Sequence, residues 1–201
     1  MKFAVEDLRK SFGEKQVLRD VSFSTESGRA FGLLGRNGAG KTTAIRIIMD
    51  VFPADGGRVL LDGKPMVREK VNVGYLPEER GLYPKVGILE QLLYLGRLRG
   101  LTRHDARKNA IKWLSRLSME EYAGKKLDTL SKGNQQKIQL VAALVSEPDF
   151  VILDEPFSGL DPVNAMLLKD VVRELIDSGK IVLFSSHQMN YVEEFCDSIA
   201  I

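Results

Sequence analysis

The segment 35–42 constrains the fold more than any other part of this sequence. It reads GRNGAGKT and satisfies the pattern G-x-x-x-x-G-K-[ST], with an apolar stretch at residues 29–34 before it and a helical spacing of apolar residues at 43–49 after it. A strand, a glycine-rich loop and a helix in that order let consecutive backbone N–H groups point into one concavity, where the helix dipole adds positive potential. The pattern therefore predicts a binding site for the phosphates of a nucleotide.

The loop also supplies two side chains with separate tasks. Lys41 is long enough to reach the β- and γ-phosphates, and the hydroxyl of Thr42 is suited to coordinate Mg²⁺. Further contacts are expected from the loop backbone and from the first helical turn. The predicted phosphate-binding residues are Gly35, Arg36, Asn37, Gly38, Ala39, Gly40, Lys41, Thr42 and Thr43.

Composition narrows the class of protein. The chain has 201 residues, of which 44% are hydrophobic, and this is enough to bury one substantial core. Its 29 Lys and Arg nearly balance its 27 Asp and Glu, so no basic surface argues for nucleic acid. Cys196 is the single cysteine, which excludes an internal disulfide framework and favours a reducing cytoplasm. No apolar run approaches the ~18 residues that cross a bilayer, so we expect a membrane role to need a partner chain.

The order of strand and helix patterns predicts an α/β fold. Residues 1–30 and 57–76 read as an antiparallel strand region with a hairpin at Asp62, and residues 87–147 read as an inserted helical subdomain. Toward the C-terminal end strands alternate with helices, which favours parallel crossovers in the sheet that carries the phosphate loop. We expect a single domain over residues 1–201.

Two adjacent carboxylates follow an apolar stretch late in the chain. Residues 150–153 read FVIL, as expected of a strand buried on both faces, and Asp154 and Glu155 come directly after them. The carboxyl ends of parallel strands are where such sheets bind ligands. Asp154 is therefore predicted to hold Mg²⁺, directly or through water, and Glu155 to accept a proton from the water that attacks the γ-phosphate, or to orient it. Taken alone, the pair also fits an acidic turn that caps a strand.

A third segment is typical of one particular protein family. Residues 130–137 read LSKGNQQK, with a serine and a glycine just before a helical pattern, and they resemble the signature motif of the ATP-binding cassette (ABC) family, usually LSGGQ. The whole chain is similar to that family in the order of its motifs: the phosphate loop, the signature, the acidic strand end, Asp161 within SGLD, and His187. The resemblance implies a P-loop NTPase core with a parallel sheet, an N-terminal antiparallel β region and an inserted helical subdomain. It also implies ATP and Mg²⁺ as ligands.

The resemblance further implies a head-to-tail pair of chains, either a homodimer or a pair with a second ABC ATPase. Each nucleotide would then lie between one chain's phosphate loop and the other chain's signature helix. His187 resembles the switch histidine that contacts the γ-phosphate, and together with Glu155 it is assigned to catalysis. Ser131 and Asp161 also fit ordinary helix N-caps, and Lys132 departs from the glycine usual in the signature. The residues assigned to the shared interface are Ser131, Gly133, Asn134 and Asp161.

Three further positions complete the predicted nucleotide site. Phe12 matches the aromatic residue that stacks on adenine in the family, with Val17 beside it, although a core phenylalanine fits this position as well. Glu78 stands where the family has a glutamine that touches Mg²⁺ and the contact with the membrane domain. This departure matters because a carboxylate strengthens metal binding but repels the γ-phosphate. The predicted metal-binding residues are Thr42, Glu78 and Asp154.

The resemblance implies the ATPase subunit of an ABC transporter. It would lie in the cytoplasm on the inner face of the cell membrane, bound to separate transmembrane permease subunits through the helical subdomain and the loop 78–83. Residues 76–83 are similar to bacterial exporters of the sodium or drug type. The alternative is a soluble ABC-type ATPase that acts on ribosomes or nucleic acid, which predicts tandem cassettes, a basic linker or a coiled coil. A P-loop kinase for small molecules leaves residues 131–137 unexplained.

The end of the sequence carries one more expectation. Residues 198–201 begin what reads as a strand, and the chain stops there at Ile201. Members of the family continue beyond that point. We therefore expect the C-terminal end of the core, and any regulatory tail, to lie outside these residues.

Overall fold

The computed structural model describes residues 1–79 and 81–200, so Arg80 of the loop 78–83 and the last residue of the segment 198–201 lie outside the described residues. The strands, in chain order, are β1 Lys2–Phe12, β2 Lys15–Glu26, β3 Ala30–Leu34, β4 Gly56–Leu61, β5 Lys64–Pro65, β6 Val73–Leu76, β7 Phe150–Asp154, β8 Ile181–Ser186 and β9 Ser198–Ala200. The helices are α1 Lys41–Ile48, α2 Ile88–Leu98, α3 Arg103–Arg116, α4 Lys132–Leu144, α5 Pro162–Asp177 and α6 Met189–Phe195. Single 3-10 turns occupy Arg68–Lys70, Glu120–Tyr122 and Leu127–Thr129.

The strands form one parallel sheet and one antiparallel sheet, which confirms the predicted fold class. The parallel sheet has the order β6-β7-β8-β3-β9 and the antiparallel sheet the order β2-β1-β4-β5. The predicted hairpin is confirmed, because β4 and β5 pair across Asp62 and Gly63, whose φ angles are 50° and 74°. One boundary of the antiparallel region is wrong: β6 pairs in parallel with β7 and belongs to the other sheet.

Alternate side chains of the parallel strands enter two different hydrophobic cores. In β7, Val151 and Leu153 face the core that contains α4 and α5, while Phe150 and Ile152 face the core that contains α1 and β1. All five residues of β7 are buried, as a strand covered on both faces requires. The continuous apolar run that predicted this strand is therefore explained by burial on both sides.

The antiparallel sheet covers α1 on one side of the molecule. Phe3 and Leu8 of β1 and Ile45 of α1 are fully buried in the same core as Phe150. The rings of Phe3 and Phe150 are tilted with centroids 4.8 Å apart, which joins the two sheets directly. This core fixes the start of α1, and the phosphate loop before it, against the first two strands.

The three helices between β6 and β7 make up the predicted helical region. α2 packs on α3, and both pack on α4. α4 also rests against β6 so closely that a Cβ atom on Gly74 would lie 2.4 Å from the carbonyl oxygen of Ala143. A glycine at this position is therefore required for the helical region to approach the parallel sheet. Among residues 1–79 and 81–200, no helix combines the length and the apolar character needed to span a membrane.

The fold brings four loops to one edge of the parallel sheet. The segments that follow β3, β6, β7 and β8 leave the carboxyl ends of strands that are hydrogen-bonded side by side. They begin with Gly35, Pro77, Glu155 and His187 respectively. Ligands bind at this edge in open parallel sheets, and here it gathers every predicted catalytic residue.

Candidate nucleotide site

The phosphate loop turns sharply between β3 and α1. Gly38 and Gly40 have φ angles of 83° and 101°, a region that L side chains rarely adopt. A Cβ atom on Gly40 would also lie 2.8 Å from Cδ2 of Leu18 and 3.1 Å from the carbonyl oxygen of Val17. The loop therefore packs directly on β2, and α1 begins at Gly40 without a side-chain cap, so its N-terminal N–H groups are left for a ligand.

An open cleft of about 390 Å³ lies in front of this loop. Its volume falls within the range of small-molecule sites, about 300 to 1,000 Å³. Predicted residues from four parts of the chain meet here, and the cleft is lined by Phe12, Val17, Asn37, Gly38, Ala39, Gly40, Lys41, Thr42, Thr43, Glu78 and Glu155.

Lys41 folds back over the loop that carries it. Its Nζ donates a 2.6 Å hydrogen bond to the carbonyl oxygen of Gly35 and a longer one, 3.4 Å, to that of Arg36. The same Nζ lies 3.2 Å from Oε1 of Glu155. The positive charge expected to meet phosphate is thus held at the bottom of the cleft.

Glu155 is placed by an unusual backbone conformation. Its φ angle is 49°, in the left-handed region that few residues other than glycine, asparagine and aspartate enter. Its backbone N–H donates to the hydroxyl and to the carbonyl oxygen of Ser185, at 3.1 and 3.2 Å, which holds the turn in place. The side chain is only 4% exposed, and its Oε2 lies 2.9 Å from Nδ1 of His187. Both residues predicted to be catalytic are therefore in contact.

Asp154 is fully buried beside the phosphate loop. The hydroxyl of Ser185 donates to its Oδ1, and the hydroxyls of Thr42 and Tyr75 donate to its Oδ2 at 3.2 and 3.5 Å. The contact between Asp154 and Thr42 brings together two of the three residues predicted to hold Mg²⁺. It joins the end of β7 to the start of α1.

The oxygen donors at this point fit Mg²⁺. Thr42 offers a hydroxyl and Asp154 a carboxylate, while Glu78 adds a second carboxylate at the wall of the cleft. Mg²⁺ prefers such hard oxygen ligands and completes its shell with water and phosphate oxygens. Within residues 1–79 and 81–200, no three histidines, cysteines or acidic residues cluster as a ready-made metal site. The donor set of Thr42, Asp154 and Glu78 therefore fits Mg²⁺ by its chemistry.

The far end of the cleft is aromatic. Phe12 is 52% exposed, and its ring meets that of Phe52 edge to face at 5.8 Å. Nζ of Lys10 lies 5.7 Å from the centre of each ring. Phe12 is thus a surface residue at the cleft with Val17 nearby, and the alternative of a core phenylalanine is wrong.

The signature residues are grouped elsewhere. Ser131 caps α4 by accepting a hydrogen bond from the N–H of Asn134, and Asp161 caps α5 by accepting from Val163 and Asn164. Hydrogen bonds from Asn164 lower the pKa of Asp161. A Cβ atom on Gly133 would lie 2.8 Å from Nδ2 of Asn164, so the starts of the two helices are neighbours. None of the four predicted interface residues is among the described residues that line the cleft.

Comparison with known proteins agrees with this arrangement. Residues 18–158 match a protein family described as "ABC transporter". The chain belongs to the ABC transporter family. It is 46% identical over 198 residues to the uncharacterized ABC transporter ATP-binding protein YhaQ of Bacillus subtilis (strain 168), covering 98% of this chain and 66% of YhaQ. It is 35% identical over 198 residues to Nod factor export ATP-binding protein I of Paraburkholderia xenovorans (strain LB400), covering 96% of this chain and 65% of that protein.

A solved structure supports the same assignment. The structure described as the ATP binding subunit of an ABC transporter superposes with a TM-score of 0.89 at 30% identity, covering 100% of this chain and 85% of that one. The chain thus spans about two thirds of the curated relatives and most of the solved subunit. It is an ABC transporter ATP-binding domain with the fold of that subunit.

Two residues of this ABC domain were missed by reasoning from the sequence. Ser185 holds Asp154 and the backbone of Glu155, and Tyr75 donates to Asp154 from the neighbouring strand. One signal was available for Ser185, because a polar residue directly after an apolar strand in a parallel sheet lies at the ligand-binding edge. Tyr75 carried no such signal, since it lies within β6 and its proximity to Asp154 depends on the order of strands.

Proposed function

We propose that this ABC domain hydrolyses ATP to ADP and phosphate and thereby energises a separate transmembrane permease. The proposed direction of transport is export. The observation that carries the proposal is the placement of Glu155. It leaves the end of β7 in the left-handed conformation, with one carboxylate oxygen 3.2 Å from Lys41 and the other 2.9 Å from His187. A carboxylate between a phosphate-binding lysine and a histidine suits the activation of water beside a γ-phosphate.

The chemical step assigns one task to each residue. Lys41 and the loop N–H groups bind the phosphates. Glu155 takes a proton from the attacking water while the water oxygen bonds to the γ-phosphorus. The bond between the γ-phosphorus and the oxygen that bridges to the β-phosphate breaks, and ADP leaves. His187 orients Glu155 through their 2.9 Å contact and would contact the γ-phosphate. Thr42 and Asp154, with Glu78 nearby, would hold Mg²⁺, which would supply charge neutralisation at the phosphates when bound.

The site requires a second copy or a paired ABC ATPase. Ser131, Gly133 and Asn134 lie at the start of α4, away from the cleft of their own chain, beside Asp161. A helix N-terminus is a good anion site. In a head-to-tail pair, the start of α4 would contact the γ-phosphate held by the other chain. ATP binding would then favour the closed pair and hydrolysis would release it.

The permease would meet the helical region at residues 87–147 and the loop 78–83. This places the domain on the inner face of the cell membrane. Export is supported by the relative named for Nod factor export, at 35% identity, and by the resemblance of residues 76–83 to bacterial exporters. The transported compound would contact the permease rather than this chain.

The catalytic and dimeric parts of the proposal share one test. Glu155→Gln keeps the shape of the side chain but removes the base, so hydrolysis should fall by about 100-fold or more while nucleotide binding persists. Size-exclusion chromatography of this variant should show a dimer with Mg²⁺-ATP and a monomer with Mg²⁺-ADP. The matched control is Glu193→Gln, an exposed carboxylate on α6, which should behave as the wild type. A Glu155→Gln protein that stays monomeric with ATP, or hydrolyses it normally, would refute the assignment.

The membrane partner needs a separate experiment. Affinity purification of the domain from a membrane extract should recover an integral membrane protein of the permease type. Recovery of ribosomes or DNA in its place would favour the soluble ABC ATPase that the sequence left as the alternative.

A further inference from the structure

Tyr75 reaches the predicted metal site from outside the phosphate loop. It lies on β6, which runs parallel to β7 with Tyr75 opposite Ile152, and its hydroxyl is 3.5 Å from Oδ2 of Asp154. A carboxylate oxygen only accepts hydrogen bonds, so the phenol hydroxyl is the donor in this contact.

The contacts of Asp154 explain why a donor at this place matters. Its carboxylate is fully buried, and the donors described for it are three hydroxyls: Ser185 on Oδ1, and Thr42 and Tyr75 on Oδ2. A neutral hydroxyl orients an oxygen without cancelling its charge, whereas a lysine or arginine would compete with a metal ion. The three hydroxyls thus fix the orientation of the Asp154 carboxylate, while its negative charge stays available for a metal ion.

Thr42 and Tyr75 both donate to Oδ2 of Asp154, but they hold this oxygen from different elements of the fold. Thr42 lies on α1 at the phosphate loop and is itself a predicted metal ligand, so its position depends on the nucleotide. Tyr75 lies on β6, the strand next to β7 at one edge of the parallel sheet, and reaches Asp154 from that side. It can keep Oδ2 in place before and after the metal ion arrives.

We propose that Tyr75 is a positioning residue of the metal site: its hydroxyl fixes the direction of Asp154 Oδ2 so that this oxygen and the Thr42 hydroxyl meet the same Mg²⁺. The inference rests on the proposed function, because it assumes that the cleft binds Mg²⁺ together with a nucleotide. Residues that hydrogen-bond to metal ligands commonly set metal affinity.

The tyrosine ring has its own packing, which makes the hydroxyl separable from it. It forms part of the wall of a groove of about 220 Å³ between α2, α4 and the end of β6, with Met49, Leu95 and Gln139 among the other residues of that wall. Phenylalanine at position 75 would keep these ring contacts and lose only the donor. Tyr75→Phe is therefore a clean test of the hydrogen bond.

The experiment measures nucleotide binding rather than turnover. A fluorescent ATP analogue is titrated onto the wild type and Tyr75→Phe over a range of Mg²⁺ concentrations, and again in EDTA. Tyr75→Phe should raise the Mg²⁺ concentration for half-maximal binding by about 3- to 10-fold, a modest effect for such a residue because the hydrogen bond is long. Binding in EDTA should stay within about 2-fold of the wild type, since the phosphate loop is untouched. Tyr94→Phe, an exposed tyrosine on α2, is the matched control and should change neither value.

A double substitution tests whether Tyr75 acts through Asp154. In the background of Asp154→Asn, Tyr75→Phe should have no further effect on the Mg²⁺ requirement. An unchanged Mg²⁺ requirement in the single variant, or an equal loss with and without Mg²⁺, would overturn the inference, because the second result indicates damage to the fold. If the wild type itself binds nucleotide without any dependence on Mg²⁺, the proposed function fails before Tyr75 is in question.

Discussion

Lys41 and Glu155 form a buried ion pair between the two loops that carry the predicted chemistry. Nζ of Lys41 lies 3.2 Å from Oε1 of Glu155, and their side chains are 9% and 4% exposed. The lysine assigned to bind phosphate and the glutamate assigned to activate water thus neutralise each other's charge. A bound triphosphate would draw Lys41 toward its oxygens and leave Glu155 free to accept a proton.

The pair predicts a specific pattern of stabilities. Lys41→Met leaves the Glu155 carboxylate buried with His187 as its one charged partner among the described residues, so the free energy of unfolding should fall by about 3 kcal/mol. Glu155→Gln should cost less, because Lys41 keeps its hydrogen bonds to the carbonyl oxygens of Gly35 and Arg36. In the double variant no buried charge is left unpaired, so much of the loss should be recovered.

Urea unfolding without nucleotide measures these four proteins as a double-mutant cycle. Losses that simply add in the double variant would mean that the two side chains do not interact as the distance indicates.

The site could be read from the sequence where its geometry is local. The phosphate loop depends on glycines at positions 38 and 40, which show the left-handed angles that the pattern requires, and the hairpin at Asp62 depends on two adjacent residues. Asp154 and Glu155 were found because the burial of β7 on both faces leaves a continuous apolar run. Each of these features needs only neighbouring residues.

The contacts that were missed depend on strand order. β6 was predicted to belong to the antiparallel region, because a short apolar strand before Pro77 does not indicate which strand it pairs with. β6 pairs with β7, which follows three intervening helices in the chain. The same pairing brings Tyr75 to Asp154, and the pairing of β7 with β8 brings Ser185 there. Sequence spacing alone does not reveal such non-local pairs.

The close packing around Gly74 predicts that the fold does not tolerate a side chain at this position. A Cβ atom at this position would lie 2.4 Å from the backbone oxygen of Ala143 and 2.8 Å from Cγ of Pro148. Because a backbone carbonyl does not rotate away, Gly74→Ala should force α4 away from β6 and lower the free energy of unfolding by about 3 kcal/mol. Thermal and urea unfolding measure this loss. Gly124→Ala is the matched control, with no atom within 4 Å of the added carbon, and should stay within about 0.5 kcal/mol. Equal stability of the two variants would contradict the close packing of α4 on β6.

Cys196 predicts how stability depends on alkaline pH. Burial, with a smaller effect from Asp197, raises the pKa of its thiol to about 12, whereas a thiol in an unfolded chain has a pKa of about 8.5. Between these values the folded protein holds a proton that the unfolded chain releases, so this contribution is complete below about pH 8.5 and is lost as the pH rises toward 12. Urea unfolding at about pH 8 and pH 10.5 should show a smaller decline for Cys196→Ala, by up to about 2.5 kcal/mol, since each pH unit between the two pKa values contributes about 1.4 kcal/mol. The same decline in both proteins would show that the thiol does not contribute.

Glu78 predicts a change in metal dependence with a defined direction. Its carboxylate lines the cleft where the family has a glutamine, so it adds negative charge beside both Mg²⁺ and the γ-phosphate. Glu78→Gln should therefore raise the Mg²⁺ concentration for half-maximal turnover by roughly 3- to 10-fold, since a charge at contact distance contributes about 1 kcal/mol in water. In EDTA the same variant should bind ATP more tightly, because the repulsion of the γ-phosphate is removed. ATPase assays across Mg²⁺ concentrations and nucleotide titrations in EDTA measure the two effects.

Glu79→Gln, an adjacent exposed carboxylate that does not line the cleft, is the matched control. If the Mg²⁺ dependence of Glu78→Gln equals that of the wild type, Glu78 does not belong to the site, and the metal ion is held by Thr42 and Asp154 without it.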